Sequence, residues 1–103
     1  MAEWSSRYPY TQANVQKYAP VGGGVYRLIN KNGEDYHVFY VGQSDNMERR
    51  LLEHLATSEP NPCIKRYLQT NDCFFRFIEI SSSYERDRVE QEQIKEYSPG
   101  CNT

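Results

Sequence analysis

Arg50 and His54 stand four residues apart in the stretch Phe39 to Leu55, FYVGQSDNMERRLLEHL, a spacing that puts both on one face of a helix. A guanidinium that keeps its proton, beside an imidazole that titrates near neutrality, gives that face a fixed cation and a group able to take or release a proton. On its own the pair suits either a solvated flank or part of a site. Nine tyrosines among 103 residues leave a similar choice: a small core with polar edges, or a site that needs phenols. Cys63, Cys73 and Cys101 are odd in number and form no CxxC pair. Neither a zinc site nor a disulfide framework is suggested, and reduced thiols in or near the core are expected.

The elements that must position these groups are legible from local chemistry. Phe39, Tyr40 and Val41 suit a half-buried strand that Gly42 ends. Asp45, with Glu48 three residues on, has capping-box spacing and predicts a helix from about Asn46, with Met47, Leu51 and Leu55 as its apolar stripe. Upstream, residues 1 to 20 form an N-terminal extension whose aromatics pack on the body; Thr11 to Tyr18 has weak helical periodicity and Pro20 stops it. The run VGGG at 21 to 24 lacks the Lys and Ser or Thr of a phosphate loop and reads as a turn that lets backbone approach something closely. Val25 to Ile29 is a strand, Asn32-Gly33 a hairpin turn, and Tyr36 to Val41 the returning strand.

Downstream, Asn61 and Pro62 start a short helix to Gln69, with Ile64, Tyr67 and Leu68 inward and Lys65 and Arg66 outward, ended by Asn71 and Asp72. Cys73 to Ile80 is a strand covered on both faces. Ser82 and Glu85 cap a last helix to Tyr97, with Val89, Ile94 and Tyr97 inward, and Pro99 and Gly100 close it. The order β-β-α-α-β-α predicts an α+β domain, residues 21 to 103, with a three-stranded antiparallel sheet flanked by helices.

Charged residues at 25% and hydrophobic ones at 38% describe one soluble globular domain. A net charge of −2 and a pI of about 5.7 argue against holding nucleic acid by bulk electrostatics, so basic surface must be local, at Arg49, Arg50, Lys65 and Arg66. With no targeting pattern and no stretch of spanning length, a cytoplasmic protein without a membrane partner is expected.

Gly24-Val25-Tyr26 and Tyr40-Val41-Gly42, on adjacent strands, together with Arg50 ten residues after the second tyrosine, His54 four later, Glu90 four before Ile94 and Asn102 after Pro99, resemble the GIY-YIG nuclease family. The resemblance spans residues 22 to 103. It implies an endonuclease that hydrolyses DNA phosphodiester bonds with one divalent metal, Mg²⁺ or Mn²⁺, on Glu90. It implies that Arg50 stabilises the transition state and that a phenol of Tyr26 or Tyr40, with Tyr26 preferred, accepts the proton of the attacking water, with His54 either taking that proton onward or holding the phenol's hydroxyl. Gly42, Gln43, Ser44, Lys65, Arg66 and Asn102 are the candidates for contacting substrate. The DNA is expected to be branched, nicked or damaged, with a protein partner supplying affinity; the competing reading is a binding or interaction module that keeps the fold without cutting.

Overall fold

Gly33 adopts a φ of +66° at the tip of the hairpin that Asn32-Gly33 predicts, a left-handed conformation that a residue without Cβ takes at no steric cost. The computed structural model describes residues 3–56, 59–70 and 72–102. Its elements are β1 (Tyr8–Pro9), α1 (Gln12–Tyr18), β2 (Gly24–Asn32), β3 (Asp35–Ser44), α2 (Met47–Leu55), α3 (Pro62–Thr70), β4 (Cys73–Glu79), α4 (Ser83–Tyr97) and a closing 3₁₀ turn, Gly100–Asn102. Asn71, expected to help end α3, lies outside the described residues.

The class is α+β, but the sheet has four strands rather than three, in the order β1-β4-β2-β3 and antiparallel throughout. The fourth is the two-residue β1 from the N-terminal extension, which pairs Tyr8 with Phe75 and Pro9 with Phe74. Strands this short leave no periodicity to read. The extension is also held by side chains: Tyr8 stacks on Tyr18 at 4.0 Å between centroids, and the Tyr10 hydroxyl donates to the Leu51 carbonyl of α2 at 2.6 Å. The core gathers Tyr26, Leu28, Phe39, Phe75, Val15, Met47, Leu51 and Ile64 between sheet and helices.

Strand β3 does not end at Gly42. It continues to Ser44, because Gly42 pairs with Tyr26 and Ser44 with Gly24 across the hairpin. The N-cap of α2 is Asn46 rather than Asp45: its side chain accepts from the Arg49 amide, while exposed Asp45 pairs with Arg49 at 3.1 Å. The glycine run explains itself at this point. Pro20 and Gly22 carbonyls accept from Glu48 and Met47, the free amides of the first turn of α2, and Gly23 accepts from Ile80. A Cβ on Gly24 would meet Met47 Cε at 2.5 Å and the Ile78 carbonyl at 2.2 Å. Glycine here lets strand, helix and sheet meet without side chains between them.

Helix α3 starts as expected, with Asn61 Oδ1 accepting from the amides of Cys63 and Ile64. Helix α4 differs from expectation. It buries no residue, Tyr97 is exposed, and polar contacts mount it on the sheet. Arg27 Nε of β2 donates to Gln93 Oε1 at 2.7 Å, with its guanidinium 3.7 Å from the Trp4 ring and 5.0 Å from that of Tyr97. Arg86 donates to the carbonyls of Ile80 and Ser81.

A further correction concerns the cysteines. Cys63 and Cys101 form a disulfide, whereas Cys73 is free, its thiol pushed up to about 11 by burial. Spacing cannot reveal a bridge whose halves are 38 residues apart and meet only when the closing turn lies against α3. Reducing it is expected to lower stability by about 2–4 kcal/mol. Thermal melts with and without a phosphine reductant check this as a drop in Tm.

Candidate active site

Tyr26 lies near the open end of the hairpin, on the strand between β3 and β4, and is 1% exposed, because that strand is covered at its sides and by α2 on one face. Directly across from it is Gly42. A Cβ there would stand 2.5 Å from Tyr26 Oη and 2.9 Å from Tyr40 Cε2, so Gly42 makes room for both phenols. Gly42→Ala is expected to cost about 1–3 kcal/mol through forced displacement of Tyr26, seen as a lower urea midpoint with the slope unchanged.

The register and the capping of α2 together bring the predicted groups into one cluster. Tyr26 Oη and His54 Nε2 share a buried hydrogen bond of 2.7 Å. Tyr40 lies 6.3 Å from Tyr26 and edge-on to His54 at 5.4 Å, between ring centroids. Arg50, one turn before His54, bonds Glu53 Oε1 at 3.2 Å, and its charge acts on the Tyr40 phenol. Glu90 comes from α4 and is joined to the hairpin by Gln43, whose Nε2 donates to Glu90 Oε1 at 3.1 Å and to Asp87 Oδ1. Asp87 lies one turn before Glu90, so two carboxylates share one amide.

The remaining sequence candidates are arranged differently. Asn102 commits both ends of its amide to Val41, Oδ1 accepting from the amide and Nδ2 donating to the carbonyl, each at 2.8 Å. It therefore pins the closing turn beside Tyr40. Ser44 Oγ bonds the Asn46 backbone within the turn. Lys65 is exposed on α3 and lines a cavity of about 190 Å³ with His54, Leu55 and Leu68; Arg66 follows it on the exposed face.

One member of the cluster was not expected. Glu59 Oε2 lies 2.9 Å from His54 Nδ1, and Oε1 accepts from the Asn61 amide at 3.1 Å. Its side chain is 1% exposed and that of His54 0%. An acidic residue beside Pro60 carries the local signature of a turn. Only the fold back from α2 to α3 turns its carboxylate under His54.

Burial sets the electrostatics. It raises the Tyr26 phenol far above the ordinary range, reinforced by Tyr40 and opposed by Arg50. It raises Tyr40 as well, with the Arg50 charge pulling the other way. The imidazole of His54 is lowered by burial and by Arg50, against Glu59, which raises it. Burial also opposes the Arg50 charge, but Tyr26, Glu53, Tyr40 and Glu59 outweigh it and hold Arg50 above its usual value. The Glu90 carboxyl is raised by burial, with the Gln43 hydrogen bond opposing. At neutral pH the cluster thus holds neutral phenols, a neutral imidazole and a firm cation.

The family model of the GIY-YIG catalytic domain matches residues 22–102. The chain belongs to the GIY-YIG family. This GIY-YIG domain is 26% identical to the N-terminal endonuclease domain of UvrC from Thermotoga maritima, solved with magnesium as its catalytic divalent cation, with a TM-score of 0.66 over 87% of this chain and 97% of that one. A point mutant of that domain bound to its cation gives the same TM-score, 0.66, at 26% identity over 87% and 96%. UvrABC system protein C of Rickettsia rickettsii is 30% identical over 84 residues, 82% of this chain. The chain spans 12% of that relative's length. The nuclease fold is thus shared. Among the described residues no helix is long and apolar enough to cross a membrane.

Proposed function

We propose that this GIY-YIG domain is an endonuclease that hydrolyses DNA phosphodiester bonds with Mg²⁺ or Mn²⁺ on Glu90. The observation that carries the reading is the convergence of Tyr26, Tyr40, Arg50 and His54 from two strands and a helix, linked through Gln43 to Glu90. Packing alone does not require a buried phenol on an imidazole beside an arginine.

The donor set fits such an ion. Among the described residues no group of three or more His, Cys, Asp or Glu side chains gathers for a metal, which disfavours a closed protein cage. A half-buried Glu90 with Asp87 beside it suits a hard cation that keeps much of its water. When bound, the ion supplies Lewis-acid stabilisation of the phosphate and of the departing oxygen. The planar fork of Arg50 binds phosphate oxygens and stabilises charge that grows on them in the transition state. A phenol of the Tyr26–Tyr40 pair, Tyr26 by preference, takes the proton of the attacking water, and His54 takes it from the phenol.

Substrate affinity is the weaker half of the design. With a net charge of −2, the domain has little bulk attraction for DNA, so Gln43, Lys65 and Arg66 act as local backbone contacts. A branched or damaged DNA, or a protein partner, supplies the rest. The test is nicking of supercoiled plasmid and of a flapped DNA with Mg²⁺ or Mn²⁺, wild type beside Glu90→Gln. Cutting by the wild type alone is expected; a folded wild type that cut nothing would favour a non-catalytic binding module.

A further inference from the structure

Among the described residues Glu59 is the only buried carboxylate, and a small domain bears the cost of burying one only when its oxygens are well partnered. We propose that Glu59 is a positioning residue for the reaction: it holds the Nδ1–H of His54, leaves Nε2 bare toward the Tyr26 hydroxyl, and so makes Tyr26 a neutral conduit that carries a proton from the attacking water to the imidazole. The proposal rests on the endonuclease reading above and deepens it.

The geometry constrains the protons. An ionised carboxylate only accepts hydrogen bonds; Glu59 Oε1 takes the Asn61 N–H at 3.1 Å, and Oε2, 2.9 Å from His54 Nδ1, takes the ring N–H. A neutral imidazole protonated at Nδ1 has its lone pair on Nε2. The Tyr26 hydroxyl, 2.7 Å away, then donates to it. The loop keeps this arrangement, since the Glu59 amide donates to the Ala56 carbonyl and Asn61 caps α3.

A phenol this buried resists ionising at rest, and the arrangement removes the need for it. As the water oxygen bonds to phosphorus, its O–H breaks and a new O–H forms on Tyr26, while the original Tyr26 O–H breaks and Nε2–H forms. The electron pair of the broken P–O bond leaves with the ester oxygen, which takes a proton from solvent, and His54 later returns its own. The imidazolium so formed is enclosed, and Glu59 is the anion in direct contact with it. The other charged or titratable groups around the ring are Tyr26 from β2, Tyr40 from β3, Arg50 and Glu53 from α2 and Lys65 from α3.

The protein has two histidines, and exposed His37 serves as an internal reference for long-range ¹H–¹⁵N spectra of the rings. At neutral pH the wild type should show His54 as the Nδ1–H tautomer, and Glu59→Gln, whose amide can donate as well as accept, should lose that single tautomer. In the same variant kcat should fall about 10- to 100-fold with KM little changed. The acid limb of the pH profile should move to lower pH, because the carboxylate that raises His54 is gone. Glu59→Asp, which keeps the charge, should return part of both. A wild-type ring protonated at Nε2, or a folded Glu59→Gln with wild-type kcat, would overturn the proposal. If the wild type cuts no DNA, the endonuclease reading fails by itself and the tautomer alone decides the role of Glu59.

Discussion

Glu90→Gln is expected to abolish cutting, a loss of about a thousandfold or more, while the melting curve stays close to that of the wild type. The size follows from the work assigned to the ion: several kcal/mol of charge stabilisation, at a factor of ten in rate for each 1.4 kcal/mol. The expected sparing of the fold follows from position. Glu90 sits half-buried on a helix that buries nothing, and its hydrogen bond is to Gln43, a contact glutamine can keep through its carbonyl. Two measurements should agree. Plasmid nicking reports the chemistry, and Mn²⁺ binding followed by electron paramagnetic resonance reports the ion. A variant that bound Mn²⁺ as tightly as the wild type and still cut would show that the metal is held elsewhere.

For Arg50→Ala a loss of about 10²–10³ in kcat is expected, the range for removing one donor aimed at a developing oxyanion. KM should change less, because the guanidinium is assigned to charge that builds only in the transition state. Arg50→Lys should recover little. A point charge on a flexible stem does not reproduce two parallel donors. Stability should fall by less than about 1 kcal/mol, since the ion pair lost with Glu53 is half-exposed and such pairs contribute little. Single-turnover cleavage of a flapped DNA separates kcat from binding. Equal losses in binding and chemistry would mean that Arg50 is a ground-state phosphate contact instead.

How much of this could be read beforehand depends on the range of the interaction involved. Asn32-Gly33 made its turn, Asn61 and Ser82 their caps, and the four-residue spacing of Arg50 and His54 one helical face, because each is decided within a few residues of backbone. The motif tripeptides and the register of the hairpin likewise set Tyr26 beside Tyr40. Two local readings failed narrowly. Asp45 lost the cap of α2 to Asn46, whose Oδ1 accepts from the Arg49 amide while Asp45 pairs with the Arg49 side chain, and β3 ran past Gly42 because pairing with β2 outweighed the glycine.

By itself, then, the chain's order of residues determined the α+β class, the hairpin, the helix starts and the shared face of Arg50 and His54, all expressed in short spacings, and carried the resemblance that proposed Tyr26, Tyr40 and Glu90 beside them. Only the tertiary structure decided the fourth strand, the polar mounting of α4, the Cys63–Cys101 bridge, the anchoring of Asn102 on Val41 and the placing of Glu59 beneath His54. Each of these joins segments whose approach is set by core packing and loop closure. Residues such as Tyr8 and Glu59 look like ordinary turn or surface residues until that packing surrounds them.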